Sequence, residues 1–251
     1  MSEVTYQRDG NVGIVTLAAP ERRNAFRPPM VAELLGICDE IDRDPDVGAV
    51  VVRALGKSFC SGADRSVLAD AGRDPAAPEN FRGLGLTYQA FVRVGELLPP
   101  TVAAVRGHAV GAGVNLMLAA DLRIVAEEAR IITRFLDIGL HPGGGHFTLL
   151  GRLAGREATA AMALFGQAVS GRRAAELGLA WEALPEAEVE PRALELARGV
   201  AGDPELARAA VRSLRLELGP PATSWPVALE AEKAVQMWSL RRKAEEQASG
   251  P

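Results

Sequence analysis

The chain has 251 residues, 48% of them apolar and 24% charged, proportions that exclude disordered, collagen-like and disulfide-scaffold classes and fit a globular protein. Its 28 Lys and Arg against 32 Asp and Glu give a net charge of −4. No segment gathers positive charge into a groove for a polyanion, so no nucleic-acid partner is expected. Two cysteines, Cys38 and Cys60, lack metal-ligand spacing and are too few for a disulfide framework; a reducing, cytoplasmic setting is the simplest expectation, with no metal.

The opening MSEVTYQRDG lacks the basic start and apolar run of a secretory signal. Residues 109–126 form the most apolar stretch, but Asn115, Asp121 and Arg123 interrupt it, so no membrane partner is expected. Aromatics are only 5% while glycines number 26. The core must therefore be Ala, Val and Leu with closely packed backbones.

Residues 4–17 alternate around Asp9-Gly10, a dipeptide suited to a tight hairpin turn. From Pro28 to Ile41, Met30, Val31, Leu34, Leu35, Cys38 and Ile41 recur at helical spacing until Asp44-Pro45 ends the pattern. Residues 48–54, with Val50-Val51-Val52, read as a buried strand, followed by a glycine-containing loop, GKSFCSGAD. Residues 71–80, AGRDPAAPEN, lack periodicity and predict a mobile loop; helical spacing returns over 81–98 and stops at Pro99-Pro100. TVAAVRG predicts a strand, GHAVGAG a second glycine loop, Val114 to Ala120 a short helix and LRIVA a further strand. After Gly155 the chain reads as almost wholly helical, with caps expected at Ser170, Asp203-Pro204 and Ser224-Trp225-Pro226. The first 150 or so residues thus define an α/β chain and the last hundred read as helices.

Both glycine loops, FCSGAD at 59–64 and GHAVGAG at 107–113, link a strand to a helix start. Backbone N–H groups there lack intrahelical acceptors and can hold negative charge. Two such donors converging on one point would form an oxyanion hole for a carbonyl oxygen that becomes anionic; taken singly, each loop reads as a tight turn. No GxSxG elbow, GxGxxG, GxxxxGK[ST] or HExxH is present, so a serine hydrolase, a nucleotide-binding protein and a zinc enzyme have no support.

PERRNAF, FCSGAD, VRGHAVGAGVNLMLAADLRIVA, IGLHPGGG and SGRRAAELGLAWEAL, in this order and spacing, resemble the crotonase (enoyl-CoA hydratase/isomerase) superfamily over residues 4–240. The resemblance implies a crotonase-like spiral of ββα units over 1–195 and a C-terminal helical trimerisation region over 196–251, forming a homotrimer or hexamer. It also implies an acyl-CoA thioester as ligand, coenzyme A being part of the substrate and no cofactor bound permanently. By position, the oxyanion donors would be the amides of Ala63 and Ala112. Ser61, Asp64, Arg65 and Ser66 would follow the adenine and pantetheine path, with Arg23 and Ala25 on its other side. Arg241, Arg242 and Lys243 offer charge to a phosphate.

The acid/base positions depart from the family. Its hydratases use two glutamates, and those positions fall here on Asn115 and Phe135; the aspartate common in isomerases falls on Gly143. Asn115 can hydrogen-bond but cannot take a proton at neutral pH. Losing such a transfer costs about 100-fold to 10,000-fold. Asp137, His141 and His146 lie around the RFLDIGLHPGGGH loop as candidate substitutes, although Asp137 is also placed to pair with Arg134 or Arg152. Two readings follow: an enzyme acting through a thioester enolate, or a non-catalytic acyl-CoA carrier or sensor.

Overall fold

The computed structural model describes residues 2–217 and 225–249. The chain opens with an antiparallel hairpin, β1 (Val4–Asp9) and β2 (Val12–Leu17), turning at Gly10 as the Asp-Gly dipeptide predicts. Helix α1 (Pro28–Arg43) follows, burying Met30, Val31, Leu34, Cys38 and Ile41, the residues of its apolar stripe. Three turns of a repeating path come next. Each runs along a long strand, then a short strand, then a helix.

The first turn comprises β3 (Ala49–Ala54), β4 (Ser58–Cys60), α2 (Arg65–Arg73) and α3 (Pro78–Gly95). The second comprises β5 (Thr101–Val105), β6 (His108–Val110) and α4 (Ala112–Ala119). The third comprises β7 (Leu122–Ala126), β8 (Arg130–Ile132) and α5 (His146–Thr159). The remaining elements are β9 (Val169–Ser170), α6 (Gly171–Glu176), β10 (Glu182–Leu184), α7 (Glu186–Ala201), α8 (Pro204–Glu217) and α9 (Trp225–Ser249).

The long strands assemble a six-stranded sheet in the order β1-β2-β3-β5-β7-β10, parallel except for the opening hairpin. The short strands assemble a second sheet, β4-β6-β8-β9, parallel through β8. Period-two alternation divides β3 between two cores: Val50 and Val52 join the main cluster, Ala49 and Val51 the other. That second cluster is closed by Val189, Ala193, Ala197 and Ala201, an i, i+4 stripe on α7 whose small side chains bring the helix close to the sheet. On the opposite side, α9 packs on α2 and α3.

Three sequence expectations are corrected. The glycine loops each contain a short strand, β4 or β6. The expected loop over 71–80 shrinks to the four residues between α2 and α3, because Asp64 caps α2 and Pro78 opens α3. The region after Gly155 is not wholly helical: β9 and β10 close the edges of both sheets. The Ser170 cap is present, its hydroxyl accepting from the Arg173 N–H at 3.2 Å, as is the Asp203 cap, accepting from Leu206 N–H at 3.1 Å. The cap expected at Ser224 lies outside the described residues. Cys38 and Cys60 are both buried thiols, and burial pushes each up to about 12. Among the described residues, no helix is long and apolar enough to cross a membrane.

Candidate active site

The second sheet positions the site. Because β4, β6 and β8 run parallel, the loops at their carboxyl ends emerge side by side, the usual place for a ligand crevice in parallel sheets. The loop after β4 carries Ser61 to Asp64, the loop after β6 leads into Ala112, and the loop after β8 carries Phe135 and Asp137. All three meet at one cavity of about 490 Å³.

Two residues lining that cavity, Ala63 and Ala112, have backbone amides whose direction follows from the carbonyl bonds of their peptides. Gly62 directs its carbonyl to Phe26 N–H at 2.8 Å, while Asp64 N–H bonds back to the Phe26 carbonyl at 3.0 Å. A trans peptide aims its C=O and N–H oppositely. The Ala63 N–H therefore points away from Phe26, and Ala63 lines the cavity. The same argument applies to Ala112. The Gly111 carbonyl accepts from Val114 and Asn115 N–H at 2.9 and 3.2 Å, so the Ala112 N–H projects out of the first turn of α4, where no intrahelical acceptor exists. The loops approach closely enough that a Cβ on Gly62, at φ +87°, would lie 3.3 Å from the Ala112 nitrogen and 2.7 Å from the Val110 carbonyl oxygen. Only glycine fits there.

The candidate residues divide into groups. Ser61, Ala63, Arg65, Ala112 and Asp137 line the cavity. Asp137 is ion-paired with Arg134, one of the two partners expected for it. Asp64 and Ser66 serve each other instead: the Asp64 carboxylate accepts from Ser66 N–H at 2.9 Å and from its hydroxyl at 2.7 Å, capping α2. These Ser66 bonds hold the Asp64 carboxyl below its ordinary range. Ala25 is buried in the loop before α1. Arg23 is exposed and borders a separate polar groove with Lys57 and His108, while its carbonyl accepts from Ser61 N–H at 3.0 Å. The side chains of Arg242 and Lys243 lie outside the described residues, and Arg241 pairs with Glu245 at 2.6 Å.

Asn115, His141 and His146 do not line the cavity wall. Asn115 is buried in α4, its Nδ2 donating to the Gly143 carbonyl at 3.1 Å while its Oδ1 faces His146 Nδ1 at 2.6 Å. His146, at 0% exposure, holds Nε2 without a hydrogen-bond partner. Burial pushes this imidazole down to about 3, so it is neutral. Phe135 stands edge-on to His146 at 4.8 Å and lines the cavity. His141 turns Nδ1 toward the Pro142 carbonyl at 2.6 Å and its ring toward Phe147.

Sequence reasoning passed over three polar residues near this wall. Tyr88 on α3 and Gln236 on α9 line the cavity, the Tyr88 hydroxyl donating to Gln236 Oε1. Glu232 on α9 accepts from Gly145 and His146 N–H at 2.7 and 3.1 Å, capping α5 from another helix. Burial raises the Glu232 carboxyl to about 7 against the opposing pull of these amides. Tyr88 carried only a helical-stripe signal, and the α9 residues carried none. A second cavity of about 380 Å³, lined by Leu68, Gly72, Leu140, Leu240 and Ala244, shares Arg65, Leu68, Ile138 and Leu140 with the first.

A spiral of paired strands and helices, with a cavity at the carboxyl ends of its second sheet, defines a crotonase-type fold. The family model for enoyl-CoA hydratase/isomerase matches residues 7–238, and the chain belongs to that family. It is 41% identical over 226 residues to the probable enoyl-CoA hydratase EchA14 of Mycobacterium tuberculosis, covering 90% of this chain and 84% of that one. It is 34% identical over 193 residues to the 1,2-epoxyphenylacetyl-CoA isomerase of Escherichia coli, covering 76% and 72%. The crystal structure of an enoyl-CoA hydratase from Bacillus halodurans shares the fold with a TM-score of 0.88 over the full length of both chains, at 23% identity.

Proposed function

We propose that the protein binds an acyl-CoA thioester and stabilises its enolate between the backbone N–H groups of Ala63 and Ala112. The observation that carries this reading is the direction of those two amides, fixed by the Phe26 bridge and the first turn of α4, onto one cavity. Such donors act on charge that develops in the transition state and need no reorganisation at that moment. Coenzyme A enters as part of the substrate, with no permanently bound cofactor. Arg65 lines both cavities, which supports its place along the adenine and pantetheine path. A homotrimer or hexamer in the cytoplasm belongs to the same proposal.

The test is to follow loss of enoyl absorbance with crotonyl-CoA and longer enoyl-CoAs. Turnover above background supports an enzyme; none at any chain length, together with no α-proton exchange in deuterated water, contradicts it. A second reading, a non-catalytic acyl-CoA carrier or sensor, is favoured by one observation. Asn115, Phe135 and Gly143 bring no carboxylate to the cavity, and Asp137 is engaged by Arg134. Tight binding of a saturated acyl-CoA in calorimetry without turnover of any enoyl-CoA selects that reading.

A further inference from the structure

The position that carries an aspartate in isomerases of the resembling family is Gly143, and the structure supplies a steric reason for glycine there. A Cβ on Gly143 would fall 2.5 Å from the Tyr88 hydroxyl and closer still to Gln236 Oε1. The place where an acidic side chain would begin is occupied by the Gln236 amide and the Tyr88 phenol together. Tyr88 is 5% exposed, and it shares the cavity wall with Ala63 and Ala112. Its ring is braced against Phe91 at 5.9 Å, and its hydroxyl donates to Gln236, whose Nε2 in turn donates to the His141 carbonyl at 3.3 Å. The hydroxyl is thus held from two helices at the cavity surface.

We propose that Tyr88 is the proton donor of this site, delivering its phenolic hydrogen to the carbon of the thioester enolate held by Ala63 and Ala112. The inference rests on the enolate reading above. In this step the Tyr88 O–H turns from Gln236 Oε1 to the enolate carbon and breaks, and the enolate electron pair forms the new C–H bond. The thioester carbonyl is restored, and the negative charge passes to the Tyr88 oxygen, which takes a proton back from water. In the reverse path, hydroxide from solvent takes the phenolic proton and the Tyr88 phenolate then takes the α-hydrogen as the enolate forms, which exchanges it. Burial pushes the phenol well above its ordinary value, so the resting group carries its proton and the phenolate forms only in passing. The other acid on the wall, Asp137, is held as an ion pair, and Glu232 faces the amides of α5.

The experiment measures α-hydrogen exchange of butyryl-CoA in deuterated water by mass spectrometry, with calorimetric binding of butyryl-CoA in parallel, on the full chain. Tyr88→Phe keeps the ring and removes only the donor. Exchange is expected to fall about 100-fold or more, with the Kd changed less than about threefold. Gln236→Leu removes the partner but leaves the hydroxyl, and its exchange should stay at least about tenfold above that of Tyr88→Phe. Undiminished exchange in Tyr88→Phe overturns the proposal. So does equal loss in both variants, which makes the hydroxyl a structural strut, or a loss confined to Asp137→Asn. If the wild type binds butyryl-CoA but exchanges nothing, the enolate reading itself fails and takes this proposal with it.

Discussion

The Nδ1 of His146 and the Oδ1 of Asn115 lie 2.6 Å apart. Asn115 directs its Nδ2 at the carbonyls of Gly143 and Gly144, so its oxygen faces the imidazole and Nδ1 must carry the hydrogen. That leaves Nε2 as a bare acceptor, buried and without a partner. Protonating it inside the fold costs more than in water, which is why the pKa is pushed down to about 3. The folded pKa lies below the unfolded value of about 6.5, so the unfolded chain binds the proton first. His146 therefore contributes stability that is complete above about pH 6.5 and is lost as pH falls toward 3.

His146→Gln can still donate to Asn115 but does not titrate. Between pH 7 and pH 5, urea unfolding of the wild type should lose about 2 kcal/mol relative to this variant. Parallel pH profiles for the two proteins would show that His146 is not held neutral.

Glu232 has the opposite sign. Its folded pKa, about 7, lies above the ordinary 4.5, so the folded chain holds the proton longer than the unfolded one. Stability from this group is complete below about pH 4.5 and is lost as pH rises through 7. Relative to Glu232→Gln, the wild type should lose stability between pH 5 and pH 8. A denaturation midpoint difference that stays constant over that range contradicts the assignment.

Gly62→Ala places a methyl group at φ +87° against the Val110 carbonyl. The backbone term alone costs about 1–2 kcal/mol, and relief of the clash moves the peptide that bears the Ala63 amide. Thermal unfolding should shift down, and any acyl-CoA turnover should fall by about tenfold or more in kcat. A variant as active as the wild type would separate the amide from the chemistry.

Phe135, which the family resemblance sets at the position of a hydratase glutamate, lines the same cavity as Ala112. Phe135→Glu should therefore increase crotonyl-CoA hydration by about tenfold or more, since a positioned carboxylate contributes about 100-fold to 10,000-fold. The lost ring burial should cost about 1–3 kcal/mol of stability. Unchanged hydration, with acyl-CoA binding intact, would place the carboxylate out of reach of the substrate carbon.

Much of this arrangement was visible before the coordinates. Asp9-Gly10 announced the hairpin, the stripe from Met30 to Ile41 announced α1, and the glycine loops marked where strands lead to helix starts, because a turn and a helix start leave their own residues in the chain. The second sheet was hidden: SFC, HAV and RII are three residues each, too short for alternation to emerge. Helix α2 had a signal in Asp64, which sits two residues before the Ser66 amide it caps, but the adjoining Pro- and Gly-rich stretch masked it. Tyr88 and Gln236 meet across 148 positions, and Glu232 reaches Gly145 across 87. No local pattern reports such pairings, because α9 brings them together only when it folds back over α2 and α3.

In the proposed function, Ala63 and Ala112 polarise a thioester carbonyl. The most direct test is the infrared spectrum of an acyl-CoA carrying carbon-13 at the thioester carbonyl, recorded free and bound to the wild-type protein. Two converging N–H donors should weaken the C=O bond and move its stretch to lower frequency on binding, with a smaller displacement in Gly62→Ala. A bound thioester whose carbonyl stretch stays at the free-solution frequency would contradict the account.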